Sequence, residues 1–491
     1  MLALAGRAVL VAGAGVTGRS VVTALLAAGA RVTVTDADAA RLAELAGEGV
    51  ELRPGLTAPP EGTELVVTSP GWRPGSPVLA AALAAGIEVI GDVELAWRIG
   101  QRMPRPPVWL AVTGTNGKTT TVGMLESMLR AAGANSVACG NVGFAVLDAV
   151  LAGYQVLAVE LSSFQLHWSN TLAPLASVVL NVAEDHLDWH GDLTAYAAAK
   201  GKLHANAGTA VYNAQDPISR ELAFHCGGSE TARVGFSLAS PRPSELGVVE
   251  DLLIDRAYVA DPAREAEELA GIADVSPAGP HNVANALAAA ALARAYGVPP
   301  SAVREGLLAF TPGAHRAVPV ADVAGVRYIN DSKATNPHAA AGSLTAHEHV
   351  VWLAGGQLKG AEVEGLVQAV AGRLRGVVLF GADSDVIEAA VRRHAPDVPV
   401  KRVDSGDDDS HADSATASGE GGDQPRGARM RRAERAMTAA VRAASTMAHA
   451  GDVVLLAPAA ASFDMFRDYA HRGEAFAAAV HALAAGEPDS V

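Results

Sequence analysis

The chain has 491 residues, 49% hydrophobic and 19% charged, with 53 Asp+Glu against 38 Lys+Arg and a formal net charge of −15. That length and apolar share fit about three α/β domains, and the acidic balance excludes a large basic face for nucleic acid while leaving room for a local pocket that takes a small anion. Two cysteines supply neither a disulfide framework nor a zinc spacing; with no apolar run of about 18 residues and no charged leader before an apolar core, a cytoplasmic protein that neither crosses a membrane nor is exported is expected.

Apolar strand-like runs alternate with Ala/Leu-rich stretches along the chain, the pattern of repeated βαβ units around parallel sheets. A first segment, residues 1–103, opens with a strand at Ala8–Ala12 and closes before Pro104-Arg105-Pro106-Pro107. Gly13, Gly15 and Gly18 form a G-x-G-x-x-G turn after that strand, and Asp36 ends the next strand 18 positions on. Such a turn binds a diphosphate, whether of a dinucleotide or of a UDP-sugar. Glycines that serve only helix-on-strand packing give the same pattern.

The second segment, residues 104–312, contains the most informative junction. The strand Val108–Val112 runs into Thr113-Gly114-Thr115-Asn116-Gly117-Lys118-Thr119-Thr120 and then a helical stretch. Loop amides and a helix N-terminus favour phosphate there, with Lys118 for the β/γ-phosphates and a Thr119 or Thr120 hydroxyl for Mg²⁺. The general phosphate-loop pattern wants a glycine where Val112 stands. The strand Val156–Glu160 ends in a carboxylate, where a Mg²⁺ ligand belongs. The strand Val178–Val182 empties into Asp185, His186 and Asp188. Asp192–His204 reads as a helix with Tyr196 and Lys200 on one face, and by spacing alone Lys200 is a surface lysine.

The third segment, residues 313–491, follows Thr311-Pro312-Gly313 and carries strands at Arg327–Asn330, Val350–Ala354, Val377–Phe380 and Val453–Ala457. Arg316 and Lys333 bring positive charge toward a nucleotide or carboxylate, or else belong to a polar loop rich in turn residues. Residues 404–432 combine Ser, Gly and Asp with Arg426, Arg429, Arg431 and Arg432, and too few apolar side chains to offset ordering entropy; a disordered surface insertion is expected.

Taken together, Thr113–Thr120, Glu160–Leu166, Asn181–Asp188, Asn330–Asn336 and Ala461–Gly473 resemble, in order, the motifs of the Mur ligases, ATP-dependent enzymes that extend the peptidoglycan precursor stem. Within that family the strings are most similar to the member that adds D-glutamate to UDP-N-acetylmuramoyl-L-alanine. The resemblance implies a three-domain α/β architecture. An N-terminal Rossmann-like domain takes the UDP-substrate, a central P-loop ATPase-like domain with a parallel sheet takes ATP, and a C-terminal Rossmann-like domain takes the amino acid.

It also implies roles that spacing does not give. Gly114, Thr115, Asn116, Gly117, Lys118, Thr119 and Thr120 would cradle ATP, with Asn285, Arg316 and Asp331 as further contacts. Thr119 and Glu160 would hold one Mg²⁺. His186 and a carbamylated Lys200 would hold a second, and Lys118, His186 and Lys200 would serve catalysis. Thr17, Asp36 and Gly71 match positions that hold the UDP-sugar, and Asn141 a substrate and phosphate contact. Lys333, Thr335, Lys359, Ser462 and Tyr469 match the amino-acid side. The implied chemistry is amide formation through an acyl phosphate by a monomer, without nucleic-acid or membrane partners.

The chain departs from the family pattern at Ala37-Asp38 after Asp36, at Gln357 near Lys359, and at Tyr469 where Phe is common. Rival readings are another Mur ligase or a folylpolyglutamate synthase-like ligase with a different amino acid, an NAD-dependent dehydrogenase, and a nucleotide switch without chemistry.

Overall fold

A computed structural model describes residues 4–47, 49–403 and 424–486. Two compact units are distinguished, one of residues 1–276 with 282–310 and one of residues 277–281 with 311–491. Each is α/β, and between them they hold three sheets.

The first unit begins with a sheet of β1 (Ala8–Ala12), β2 (Arg31–Thr35), β3 (Glu51–Leu52), β4 (Leu65–Thr68) and β5 (Glu88–Gly91). The order is β3-β2-β1-β4-β5, with every pairing parallel. Leu65-Val66-Val67-Thr68 is buried at every position, as a strand covered by helices on both faces must be. The Gly13–Gly18 turn is steric in origin. Gly13 has φ +112°, and a Cβ on Gly18 would lie 1.9 Å from the Gly13 carbonyl oxygen.

The same unit holds a nine-stranded sheet. Its strands are β6 (Val108–Thr113), β7 (Ser136–Gly140), β8 (Val156–Glu160), β9 (Ala176–Val179), β10 (Thr209–Asn213), β11 (Ala232–Phe236), β12 (Glu245–Val249), β13 (Leu252–Asp255) and β14 (Glu267–Gly271). The order is β14-β13-β12-β11-β10-β9-β6-β8-β7. The central strand β6 therefore delivers the phosphate loop between β8 and β9, whose carboxyl ends carry Glu160 and the His186 loop. The expectation of parallel pairing throughout fails at one edge: β12, β13 and β14 run antiparallel. Glu250-Asp251 form the two-residue turn between β12 and β13, too short for a parallel crossover.

The second unit is built on β15 (Val318–Val323), β16 (Val326–Asn330), β17 (Val350–Gly355), β18 (Leu374–Phe380), β19 (Val400–Arg402) and β20 (Val453–Leu456), in the order β15-β16-β20-β17-β18-β19. Only β15 is antiparallel, turning back through Ala324-Gly325. Residues 404–423 of the expected disordered insertion lie outside the described residues, but residues 424–432 are a correction. They begin the helix Gln424–Ser445. Ala433, Ala436, Met437, Ala440, Val441 and Ala444 form a buried stripe at helical spacing, and Arg, Met and Glu before and among them are good helix formers.

Helix Lys118–Ala131, which leaves the phosphate loop, packs on helix Pro300–Ala309 through Gly306. A Cβ there would stand 2.4 Å from Met128 Cα. Helix propensity favours Gly306→Ala by about 1 kcal/mol, while overpacking costs about 1–3 kcal/mol. The close backbone approach decides the sign, so Gly306→Ala is expected to lower the denaturation midpoint; a raised midpoint would refute the packing argument.

Candidate active site

The loop Gly114–Gly117 is shaped by backbone conformations that only glycine adopts freely. Gly114 has φ +156° and Gly117 φ +88°, and a Cβ on Gly117 would meet Asn285 Oδ1 at 2.4 Å. Asn285 is buried, and its amide donates to Asn282 Oδ1 at 3.2 Å. The loop is braced from β9. The Asn116 amide donates to Asn181 Oδ1 at 2.9 Å, Asn181 Nδ2 donates to the Asn116 carbonyl at 3.1 Å, and the Thr115 amide to the Asn181 carbonyl at 3.0 Å. The Thr115 hydroxyl accepts the Ala183 amide at 3.0 Å and lies 3.3 Å from the Tyr196 hydroxyl. Asn181 stands inside a recognised string, yet sequence reasoning gave it no role. Only the pairing of β6 with β9 reveals that it reaches the loop.

Lys118 folds over this loop, its ammonium donating to the carbonyls of Gly114 at 2.8 Å and Thr115 at 2.9 Å. Thr119 and Thr120 follow in the first helical turn. The Thr119 hydroxyl donates to Glu160 Oε2 at 2.7 Å, and Asn141 Nδ2 donates to Glu160 Oε1 at 3.1 Å. Glu160 is buried at the end of β8. Asn141 reaches it because Gly140, at φ +124°, lets the chain approach: a Cβ there would sit 2.0 Å from the Glu160 carbonyl.

A hydroxyl and a carboxylate already 2.7 Å apart beside a phosphate loop are hard oxygen ligands that fit Mg²⁺. Among the described residues, no cluster of three His, Cys, Asp or Glu side chains would hold a metal by itself.

His186 lies in the same unit, in the left-handed region at φ +55°. Its backbone amide donates to Asp185 Oδ1 at 2.9 Å, and its ring centroid is 4.8 Å from that of Phe164. His190 stacks on Phe164 and pairs with the Ser163 hydroxyl at 2.9 Å, so the loop after β9 is held by rings from the β8 side. Partial burial lowers the His186 pKa, with Asp185 opposing and Lys118 and Lys200 reinforcing the shift.

The reading of Lys200 as a surface lysine is wrong. The side chain is 1% exposed, and its ammonium donates to the Gly114 carbonyl at 2.9 Å and lies 4.4 Å from the Tyr196 ring centroid. Asp192 caps the helix Leu193–Gly201 by accepting the Ala195 amide, which aims the Tyr196–Lys200 face inward. Burial, and then the charge of Lys118, hold the Lys200 pKa well below its ordinary value. As an amine or ammonium it does not suit a Mg²⁺ site; as a carbamate it would offer oxygens.

At the first sheet, Asp36 is buried after β2, its Oδ2 accepting the Ala14 amide at 2.8 Å and its Oδ1 the Asp38 amide at 2.9 Å. Thr17 stands in the first turn of helix Val16–Ala27, and Gly71 in the exposed loop after β4. All three lie at the carboxyl end of this parallel sheet, where open α/β sheets take ligands.

The second unit gathers the remaining residues at the corresponding edge of its own sheet. Arg316 lies between two left-handed residues, His315 at φ +61° and Ala317 at φ +52°. Asp331 accepts the Ala317 amide at 3.2 Å and the Ser343 hydroxyl, and burial raises its pKa to about 6. The Lys333 ammonium sits 3.8 Å from the Tyr469 ring centroid, so tyrosine in place of phenylalanine keeps the aromatic face. Thr335 lies in the same loop, before the helix Pro337–Thr345. Lys359 is exposed at φ +55°, and Ser462 is buried. Gln357 joins those last two loops through backbone bonds to Ala461 at 2.8 and 2.9 Å, so this departure leaves the connection intact.

Residues 112–293 match the Mur ligase middle domain, and residues 7–91 match the Mur ligase MurD-like, N-terminal domain. The chain is 55% identical to UDP-N-acetylmuramoylalanine–D-glutamate ligase of Thermobifida fusca, over 98% of this chain and 99% of that protein. It is 54% identical to the protein of the same name from Nocardia farcinica, over 99% and 98%. Among solved structures, the pseudomurein peptide ligase type C of Methanothermus fervidus superposes with a TM-score of 0.56 at 18% identity, covering 97% of this chain and all of that one. UDP-N-acetylmuramate-alanine ligase MurC of Thermotoga maritima gives 0.54 at 18% identity, covering 97% and 99%. The chain belongs to the Mur ligase family, among the UDP-N-acetylmuramoylalanine–D-glutamate ligases.

Proposed function

We propose that this chain joins D-glutamate to UDP-N-acetylmuramoyl-L-alanine at the expense of ATP, through an acyl phosphate. The observation that carries the reading is the convergence of Lys118, the Thr119–Glu160 pair and buried Lys200 on one phosphate loop. The domains are assigned as residues 1–103 for the UDP-substrate, 104–312 for ATP and 313–491 for the amino acid. Among the described residues no helix is long and apolar enough to cross a membrane, and the protein is taken to work as a cytoplasmic monomer.

In this reading Asp36, Thr17 and Gly71 orient the UDP-sugar, and the loop from Gly114 to Thr120 with Asn285, Arg316 and Asp331 holds ATP. Thr119 and Glu160 would hold one Mg²⁺; His186 and carbamylated Lys200 would hold a second. When bound, these ions supply the charge neutralisation that lets a carboxylate meet a triphosphate. Lys118 leaves the Gly114 and Thr115 carbonyls to pair with the β/γ-phosphates. The substrate's alanyl carboxylate then attacks the γ-phosphorus and ADP departs. Lys333, Thr335, Lys359, Ser462 and Tyr469 hold D-glutamate, whose free amine attacks the acyl carbon; phosphate leaves and the amine proton passes to solvent.

Carbamylation needs a neutral amine: the nitrogen of Lys200 attacks CO₂, a proton is released, and an anionic carbamate remains. Burial beside Lys118 favours the neutral amine.

Four outcomes check this. With ATP and UDP-N-acetylmuramoyl-L-alanine, phosphate release should require D-glutamate and stay at background with L-glutamate, L-lysine or diaminopimelate. Turnover with one of those and none with D-glutamate overturns the assignment. Lys118→Ala should cost on the order of 10²–10³-fold in kcat, while Glu160→Gln should raise the Mg²⁺ needed for half-activity by roughly 10–100-fold. Unchanged Mg²⁺ dependence would remove Glu160 from the metal site.

The fourth concerns Lys200. Its depressed pKa keeps the amine unprotonated as pH falls toward the folded value, and acid below that value protonates it and releases CO₂. Activity in CO₂-stripped buffer should therefore be low, recover with bicarbonate at neutral and alkaline pH, and fall off on acidification. ¹³C-bicarbonate should give a carbamate resonance absent from Lys200→Arg.

A further inference from the structure

Strands β16, β20 and β17 lie side by side and parallel in the third sheet. Their carboxyl ends open into the loops that carry Lys333 and Thr335, Ser462, and Lys359. One side chain ties those loops together. Arg472, on the helix Tyr469–Ala485, is 0% exposed. Its Nε donates to the Ser332 hydroxyl at 3.0 Å and one terminal nitrogen to the Ser332 carbonyl at 2.9 Å. The other terminal nitrogen donates to the carbonyls of Ala460 at 3.0 Å and Gly355 at 3.3 Å. Ser332 Oγ in turn donates to the Tyr469 carbonyl at 2.7 Å, closing a ring between the loop after β16 and the helix that bears Arg472.

Every hydrogen-bond acceptor of this guanidinium is a neutral oxygen. A buried cation is costly to keep and is usually paired with a carboxylate. Burial lowers its pKa to about 9, with Asp464 pulling the other way, so the charge persists at neutral pH. A rigid planar fork suits several fixed carbonyls better than a single ammonium does.

We infer that Arg472 is a positioning residue for the anionic amino-acid substrate: it locks three loops in register and places a positive charge beneath them. The inference rests on the reading that this unit takes D-glutamate. It explains why a cation is spent on backbone carbonyls where an apolar side chain would cost less: the same atoms fix Lys333, Ser462 and Lys359 and favour a dicarboxylate above them.

The test uses the full-length enzyme, with KM for each of the three substrates measured at saturation of the other two. Arg472→Lys should raise KM for D-glutamate by on the order of tenfold to a hundredfold. KM for ATP and for the UDP-substrate should stay within about twofold. Ser332→Ala, which removes one acceptor and spares the charge, should move KM for D-glutamate in the same direction by less, with an unfolding midpoint near the wild type. A KM for D-glutamate unmoved in both variants, or three KM values rising together as the unfolding midpoint falls, overturns the positioning role while the wild type still turns over D-glutamate. A wild type that does not use D-glutamate overturns the underlying reading, and the inference with it.

Discussion

Two ammonium groups share one carbonyl oxygen in this protein, and much of the candidate chemistry depends on that crowding. Lys118 and Lys200 donate to Gly114 O at 2.8 and 2.9 Å. Two unit charges so close, one fully buried, do not both keep their protons at little cost. Neutralising Lys200 would relieve the conflict, and the amine so produced is the nucleophile that CO₂ requires. Carbamylation would turn the repulsion between the two residues into attraction and free the Gly114 carbonyl from one of its donors. Phosphate loop and lysine are therefore one electrostatic unit, and the helix capped by Asp192 is what holds them together.

The same logic reconciles a formal charge of −15 with substrates that are themselves anionic. Cations gather at the carboxyl ends of parallel strands: Lys118 in the first unit, Lys333, Lys359 and Arg472 in the second. Low-dielectric walls make such local fields count for more than net charge does. Glu160 is the exception within the first group, and its bonds to Thr119 and Asn141 present its oxygens toward the phosphate loop. Were phosphate bound on the loop, a buried carboxylate beside it would call for a cation between them, which is the physical case for proposing Mg²⁺ at that pair.

What the sequence made legible was whatever is local. The strand-to-loop junction at Val108–Thr120, the carboxylate at the end of Val156–Glu160 and the parallel segments of all three sheets follow from short-range pattern. Features that depend on tertiary contact did not follow. Lys200 looked solvated because a helical face shows its neighbours and not what covers it. Asn181 and Arg472 stood inside recognised strings, but Asn116, which Asn181 braces, is 65 residues away in the chain and Ser332, which Arg472 holds, is 140 away. The antiparallel edge β12–β14 escaped because periodicity does not report strand direction, and the helix Gln424–Ser445 because an arginine-rich start masks the alanine stripe that buries it.

Lys200 and Arg472 also invite comparison, because each is a buried basic side chain bonded to backbone carbonyls at the carboxyl end of a parallel sheet. They are not equivalent. Burial lowers the pKa of a lysine so placed and favours the neutral amine that covalent change requires, whereas a guanidinium stays charged and keeps a fixed planar set of donors. On the proposed function, the first unit carries a basic group whose change of charge would serve metal binding, and the second carries one whose constancy would serve the recognition of an anion. Exchanging the residue types would defeat both ends. Arginine at position 200 adds no CO₂, and lysine at position 472, drawn into the same apolar surroundings, would lose both the fork that spans three loops and much of the charge beneath them.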